Sequence, residues 1–118
     1  MPQPHEMSAQ ELLEAYRSKT LSPVEATRSV LDHIERWEPR LKATYALDPE
    51  VALAMARASE ARWMKGEPQA CGGYSLDGVP ATIKENIATR GVPVPLGKPV
   101  ETVEEAWEVA QKVGLPVV

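Results

Sequence analysis

The stretch LDGVPATIKENIATRGVPVPLG, Leu76 to Gly97, gathers three glycines, three prolines and an apolar run around one lysine, Lys84. Its reading decides the fold. Val79 to Ile83 is short, apolar and partly β-branched between turn residues, so it predicts a buried strand rather than a helix. In GVPVPLGKPV the alternate prolines forbid a helix and leave an extended or edge segment.

Working outward, capping signals divide the rest of the chain. In SAQE, Ser8 caps a helix and Glu11 completes a capping box, which predicts a helix from about Ser8 to Ser18. SPVE repeats the device with Ser22, Pro23 and Glu25, and the helix it opens is expected to run to about Trp37, with Pro39 stopping it. Its residues Val30, Leu31, Ile34 and Trp37 fall on one stripe. Asp48-Pro49 opens an Ala-rich third helix carrying Val51, Met55 and Trp63, and Gly66 ends it. Glu67 to Gly78, with CGGY at its middle, reads as a flexible loop. Thr102 and Glu105 form a further box before Val103, Ala106, Trp107, Ala110 and Val113, which recur at helical spacing up to Gly114. LPVV reads as a last strand.

The expected architecture is therefore α/β: three N-terminal helices packed on a small sheet, with a C-terminal β-α-β unit. Val79 to Ile83 and Leu115 to Val118 are expected as parallel neighbours, joined right-handedly by the helix from about Thr102 to Val113. Trp37, Trp63 and Trp107 are the expected aromatic anchors, since Phe is absent. The 118 residues suit one small domain. Two short strands leave open edges, so a homo-oligomer through edge pairing or strand exchange is expected.

Composition narrows the function. Apolar residues at 43% and charged residues at 25% are ordinary for a globular chain. A formal charge of −4, without a Lys/Arg cluster, argues against a nucleic-acid partner. Met1 to Gln10 lacks the basic and apolar pattern of a leader, no run nears the ~20 apolar residues of a membrane span, and Cys71 is a single cysteine, which together read as an expected cytoplasmic protein. His5 and His33 stand as singletons with no metal-ligand spacing, so no metal or other cofactor is expected.

Lys84 has two readings. In the ordinary one it is a strand-end residue whose stem lies on apolar neighbours while the ammonium reaches water. In the other it is a desolvated amine able to act as a base. Spacing alone does not choose between them.

The segment resembles the lysine region of the amidase signature family. The motif there is GVPxxIKDN, matched here by GVPATIKEN with Glu85 in place of the Asp, and the likeness runs from Met7 to about Gly97 through the capped and Ala-rich helices. The resemblance implies that Lys84 corresponds to the base of a Ser, cis-Ser, Lys triad. In that triad neutral lysine deprotonates a bridging serine, which activates a nucleophilic serine against an amide carbonyl. By that resemblance the two catalytic serines lie downstream, the first before and the second inside a Gly/Ser-rich GGSSGG stretch that this sequence lacks. Its six serines are Ser8, Ser18, Ser22, Ser29, Ser59 and Ser75. Ser75, after Gly72-Gly73-Tyr74, comes nearest and reads as a loop residue.

A second likeness starts at Gly91. GVPVPLGKPVETVEEAWEVAQKVGLPVV is similar to a segment of ATP-grasp ligases of the cyanophycin synthetase and carbamoyl-phosphate synthetase type, but stops before their nucleotide-binding lysine. Glu104 and Glu105 at the helix start would repel an anion. Two ancestries meeting at GVPVP suggest a recombined or designed chimera with a structural outcome, no active site and no cofactor. The alternatives are an amidohydrolase fragment whose serines come from a partner, and a small binding module using the Gly66 to Gly78 loop.

Overall fold

A computed structural model describes residues 2–70 and 73–83, with Thr102 and Glu104. The chain divides into two compact units, Met1–Thr82 and Ile83–Val118, and the elements below belong to the first. A 3-10 turn, Pro4–Glu6, precedes α1 (Ala9–Arg17), α2 (Pro23–Leu41) and α3 (Pro49–Lys65).

The expected starts are all present. Ser8 Oγ accepts from the Glu11 N–H at 3.3 Å while the Glu11 carboxylate accepts from the Ser8 N–H at 2.7 Å. The Ser8 hydroxyl and then its N–H, both bonded to Glu11, hold that carboxyl below its ordinary range. Ser22 and Glu25 close the same box at 3.2 and 2.8 Å, with Pro23 at the first helical position, where its missing N–H costs nothing. Asp48 caps α3 through the Val51 N–H at 3.1 Å. At the other end Gly66, at φ 75°, takes the left-handed conformation that turns the chain out of α3.

Pro39 does not stop α2, which continues to Leu41. In the last turn a proline removes one ladder bond, the one its own N–H would have donated to Glu35. The helix ends instead at Lys42, at φ 47°, whose N–H reaches the Glu38 carbonyl at 2.8 Å. The Glu38 carboxylate then holds the Thr44 N–H at 3.1 Å.

Leu12 and Tyr16, one turn apart on α1, meet Ala26 of α2 and Trp63 of α3 in the core, with Met7, Leu13, Leu21 and Val79 packed against them. Burying a leucine side chain as Leu12 is buried contributes about 1.5–3 kcal/mol. On α3 the inward face is Ala56, Ser59 and Trp63, while Val51 and Met55 are 54% and 68% exposed. Trp63 is an anchor as expected, whereas Trp37 is 41% exposed. Trp107 lies outside the described residues.

The expected sheet is a correction. No strand is present among the described residues; Tyr74 alone makes an isolated bridge, and the described elements are helical. Val79 to Ile83 is without strand pairing, and Ala81, Thr82 and Ile83 are exposed. Apolar, β-branched composition gives a segment the propensity for a strand, but a strand also needs a neighbour's ladder. Here the carbonyls just before it are taken by side chains of α1 and α3. Leu115 to Val118 and the helix expected between Thr102 and Val113 lie outside the described residues, apart from Thr102 and Glu104. None of the described helices is long and apolar enough to cross a membrane.

Candidate functional site

Lys84 lies outside the described residues. The structure does describe the turn that opens its motif, Leu76 to Val79, and what fixes that turn. The Val79 N–H returns to the Leu76 carbonyl at 3.1 Å, with Gly78 at φ 84° in the third position, as a type II turn requires. A Cβ on Gly78 would stand 2.6 Å from Ser59 Oγ and 2.8 Å from Pro23 Cγ. Both φ and space therefore demand glycine.

Two helices hold the turn. The Arg62 guanidinium donates to both Asp77 carboxylate oxygens, from Nε at 2.7 Å and from Nη2 at 2.5 Å, in the fork geometry that arginine offers a carboxylate. The Gln69 N–H donates to the same carboxylate at 2.8 Å. Trp63 Nε1 donates to the Asp77 carbonyl at 3.0 Å, and Tyr16 Oη donates to the Gly78 carbonyl at 2.9 Å. The Tyr16 and Trp63 rings, 5.8 Å apart and tilted, pack behind these bonds.

The electrostatics follow. The Arg62 hydrogen bonds hold the Asp77 carboxyl down at about 2 against the opposing effect of burial, with help from the Gln69 N–H and the Arg62 charge. The hydrogen bond to Asp77 raises Arg62 in turn. Burial pushes the Tyr16 phenol up to about 12. At neutral pH Asp77 is thus an ionised acceptor and Tyr16 a fixed donor. They can hold a turn in place but do not exchange protons there.

The other sequence candidates fall as follows. Ser75 Oγ donates to the Gln69 carbonyl at 2.6 Å and accepts from the Asp77 N–H at 3.2 Å, so its hydroxyl builds the loop. The Glu67 to Gly78 loop, expected to be flexible, is tied at Gln69, Ser75 and Asp77. Cys71 lies outside the described residues. His5 and His33 are not separate: their rings stack at 4.2 Å, and His5 Nδ1 lies 2.8 Å from Ser29 Oγ. Among the described residues no three His, Cys, Asp or Glu side chains group as metal ligands do. An open groove of about 660 Å³ between α2 and α3, lined by Leu31, Ile34, Leu47 and Leu53 among others, does not include the turn.

Sequence reasoning missed Tyr16, Arg62 and Asp77. Asp77 stands inside the quoted stretch, where Asp-Gly signalled only a turn. Nothing in the spacing of Arg62 or Tyr16 tells that they meet it.

The described unit is thus a helical holder for the start of a lysine motif. The amidase family model matches residues 25–106, and the chain belongs to that family. It is 37% identical over 83 residues to the A subunit of glutamyl-tRNA(Gln) amidotransferase from Trichodesmium erythraeum, covering 70% of this chain and 16% of that protein. It is 42% identical over 77 residues to the protein of the same name from Chloroflexus aggregans, covering 65% and 15%. The mitochondrial counterpart from Aedes aegypti is 37% identical over 86 residues, covering 73% and 16%. The chain spans about one sixth of the length of these curated relatives. No solved structure matches it significantly.

These matches correct the chimera reading. One family model runs unbroken through GVPVP to residue 106, across the expected join and into the segment likened to ATP-grasp ligases. That second likeness rested on a proline-rich pentapeptide and a helix-to-strand pattern, which recur in many folds. A continuous match over most of the chain carries more. The reading of a non-catalytic, designed protein falls with the join.

Proposed function

We propose that this chain is the lysine-bearing segment of an amidase-family enzyme that cleaves an amide C–N bond, with Lys84 as the general base. The observation that supports this is GVPATIKEN, Gly78 to Asn86, lying within the family match. The neutral Lys84 amine takes a proton from a bridging serine, which takes one from the nucleophilic serine. The nucleophile's oxygen then bonds the amide carbon. The C–N bond breaks, the nitrogen leaves with the proton, and water releases the acyl group from the serine. A free lysine amine holds its proton up to about pH 10.4, so this role requires desolvation or a nearby cation.

The serines come from outside this sequence, because none of its six stands in a Gly/Ser-rich stretch and Ser75 is committed to its loop. We carry over from the relatives the amide chemistry and not the tRNA of their name, since the segment has a formal charge of −4 and no basic cluster. The cytoplasm remains the expected compartment.

The test is reconstitution. The chain is mixed with a second polypeptide that carries the serine-bearing remainder of a relative, and ammonia release from a simple amide is followed. Turnover that needs both chains and disappears with Lys84→Ala supports the reading. Turnover indifferent to Lys84→Ala overturns it.

A further inference from the structure

We infer that the groove between α2 and α3 seats an amphipathic helix of about four turns from the serine-bearing part of an amidase-family enzyme; this rests on the proposed function. The two helices outrun the core. α2 buries Pro23, Val24, Ala26 and Thr27, and none of its residues 28–41 is buried. α3 buries Ala56, Ser59 and Trp63, and none of its residues 49–55 is buried. These stretches are nevertheless apolar on one side: Leu31 and Ile34 of α2 and Leu53 of α3 line the groove with Leu47, which is 47% exposed. A helix in a protein draws most of its stability from packing its apolar face, and here that face is open.

The rim specifies the occupant. Along α2 and its C-cap, Arg28 and Lys42 stand at the two ends of the groove, with Asp32, Glu35 and Glu38 between them. At the rise of a helix the row is about 20 Å long. None of the five is ion-paired among the described residues. The complement is a helix of that length with a ridge of Leu, Ile or Val, acids near its ends and bases at its middle. A second copy of this face is the wrong partner: laid on itself in register, in either direction, the row sets acid against acid and base against base. The family match contains both walls of the groove, and the relatives run far beyond the matched stretch, which covers 16% of two of them. That further chain, which carries the serines in the proposed function, supplies the helix.

The test measures association of the chain with the serine-bearing polypeptide by titration calorimetry, beside ammonia release from the same mixtures. Ile34→Glu puts a charge in the seat, Glu35→Lys reverses the middle of the rim, and Met64→Lys alters an exposed residue outside the groove. The first two should each raise Kd at least tenfold with the Tm of the chain alone unchanged, and Met64→Lys should leave Kd within about twofold. Should Ile34→Glu lose its helical circular dichroism, Glu35→Lys carries the comparison. Equal Kd for the groove variants and the unaltered chain, with Lys84-dependent ammonia release intact, overturns this inference and leaves the function standing. So does a groove-dependent dimer of the chain alone in sedimentation, or a Tm lowered by Glu35→Lys without the partner, which would show the groove already filled. Groove-dependent association without Lys84-dependent ammonia release removes the function and keeps the seat. If the two polypeptides do not associate, both fall.

Discussion

Asp77→Asn tests the Arg62–Asp77 ion pair through stability. A carboxyl held at about 2, against about 3.9 in an unfolded chain, corresponds to roughly 2.5 kcal/mol of preference for the folded state. The Arg62 side chain is 37% exposed, so water competes for its end of the pair, and the expected loss at pH 7 is roughly 2 kcal/mol. Because the folded pKa is depressed, this contribution is complete above about pH 5, falls to about half near pH 3 and is lost as the pH drops through 2. Urea unfolding measures it. With a slope of about 1–2 kcal/mol per molar, the midpoint of the variant should fall by roughly 1 M at pH 7, and the gap should halve at pH 3. An equal gap at both pH values, or none at pH 7, refutes the ion-pair account.

Gly78→Ala meets a positive φ and a Cβ site 2.6 Å from Ser59 Oγ, and should cost roughly 3 kcal/mol, lowering Tm by more than 10 °C; Gly66→Ala, with open space around it, should cost only about 1 kcal/mol. A similar loss at both sites contradicts the close fit of the turn. The Tyr16 phenol, pushed up to about 12 by burial, should stay un-ionised past pH 11 while the fold holds, and the stability its protonated form gives should fade as pH rises from about 10 toward 12. Absorbance at alkaline pH reads this directly, and Tyr16→Phe should remove the resistant phenol at a cost of about 1 kcal/mol.

What the sequence made legible was local. Ser8, Ser22 and Asp48 announce helix starts because a cap needs a short side chain at one position and, in a box, a carboxylate three residues later. Gly66 announces an end for a comparably local reason. The errors came where the outcome depends on partners distant in the chain. Val79 to Ile83 has strand composition, yet its fate turned on what lies beside it, and Tyr16 and Trp63 approach from 62 and 14 residues away. Asp77 and Arg62 were invisible for the same reason. The lysine motif was legible as family resemblance, and the family match bears out that likeness.

The central claim, that Lys84 serves an amidase nucleophile, is tested most directly by intact-mass analysis of the reconstituted pair after brief fluorophosphonate treatment. The account predicts one stoichiometric adduct on the serine-bearing polypeptide, absent when the chain carries Lys84→Ala and absent when the chain is omitted. An adduct of the same yield with Lys84→Ala, or no adduct with the unaltered chain, contradicts it.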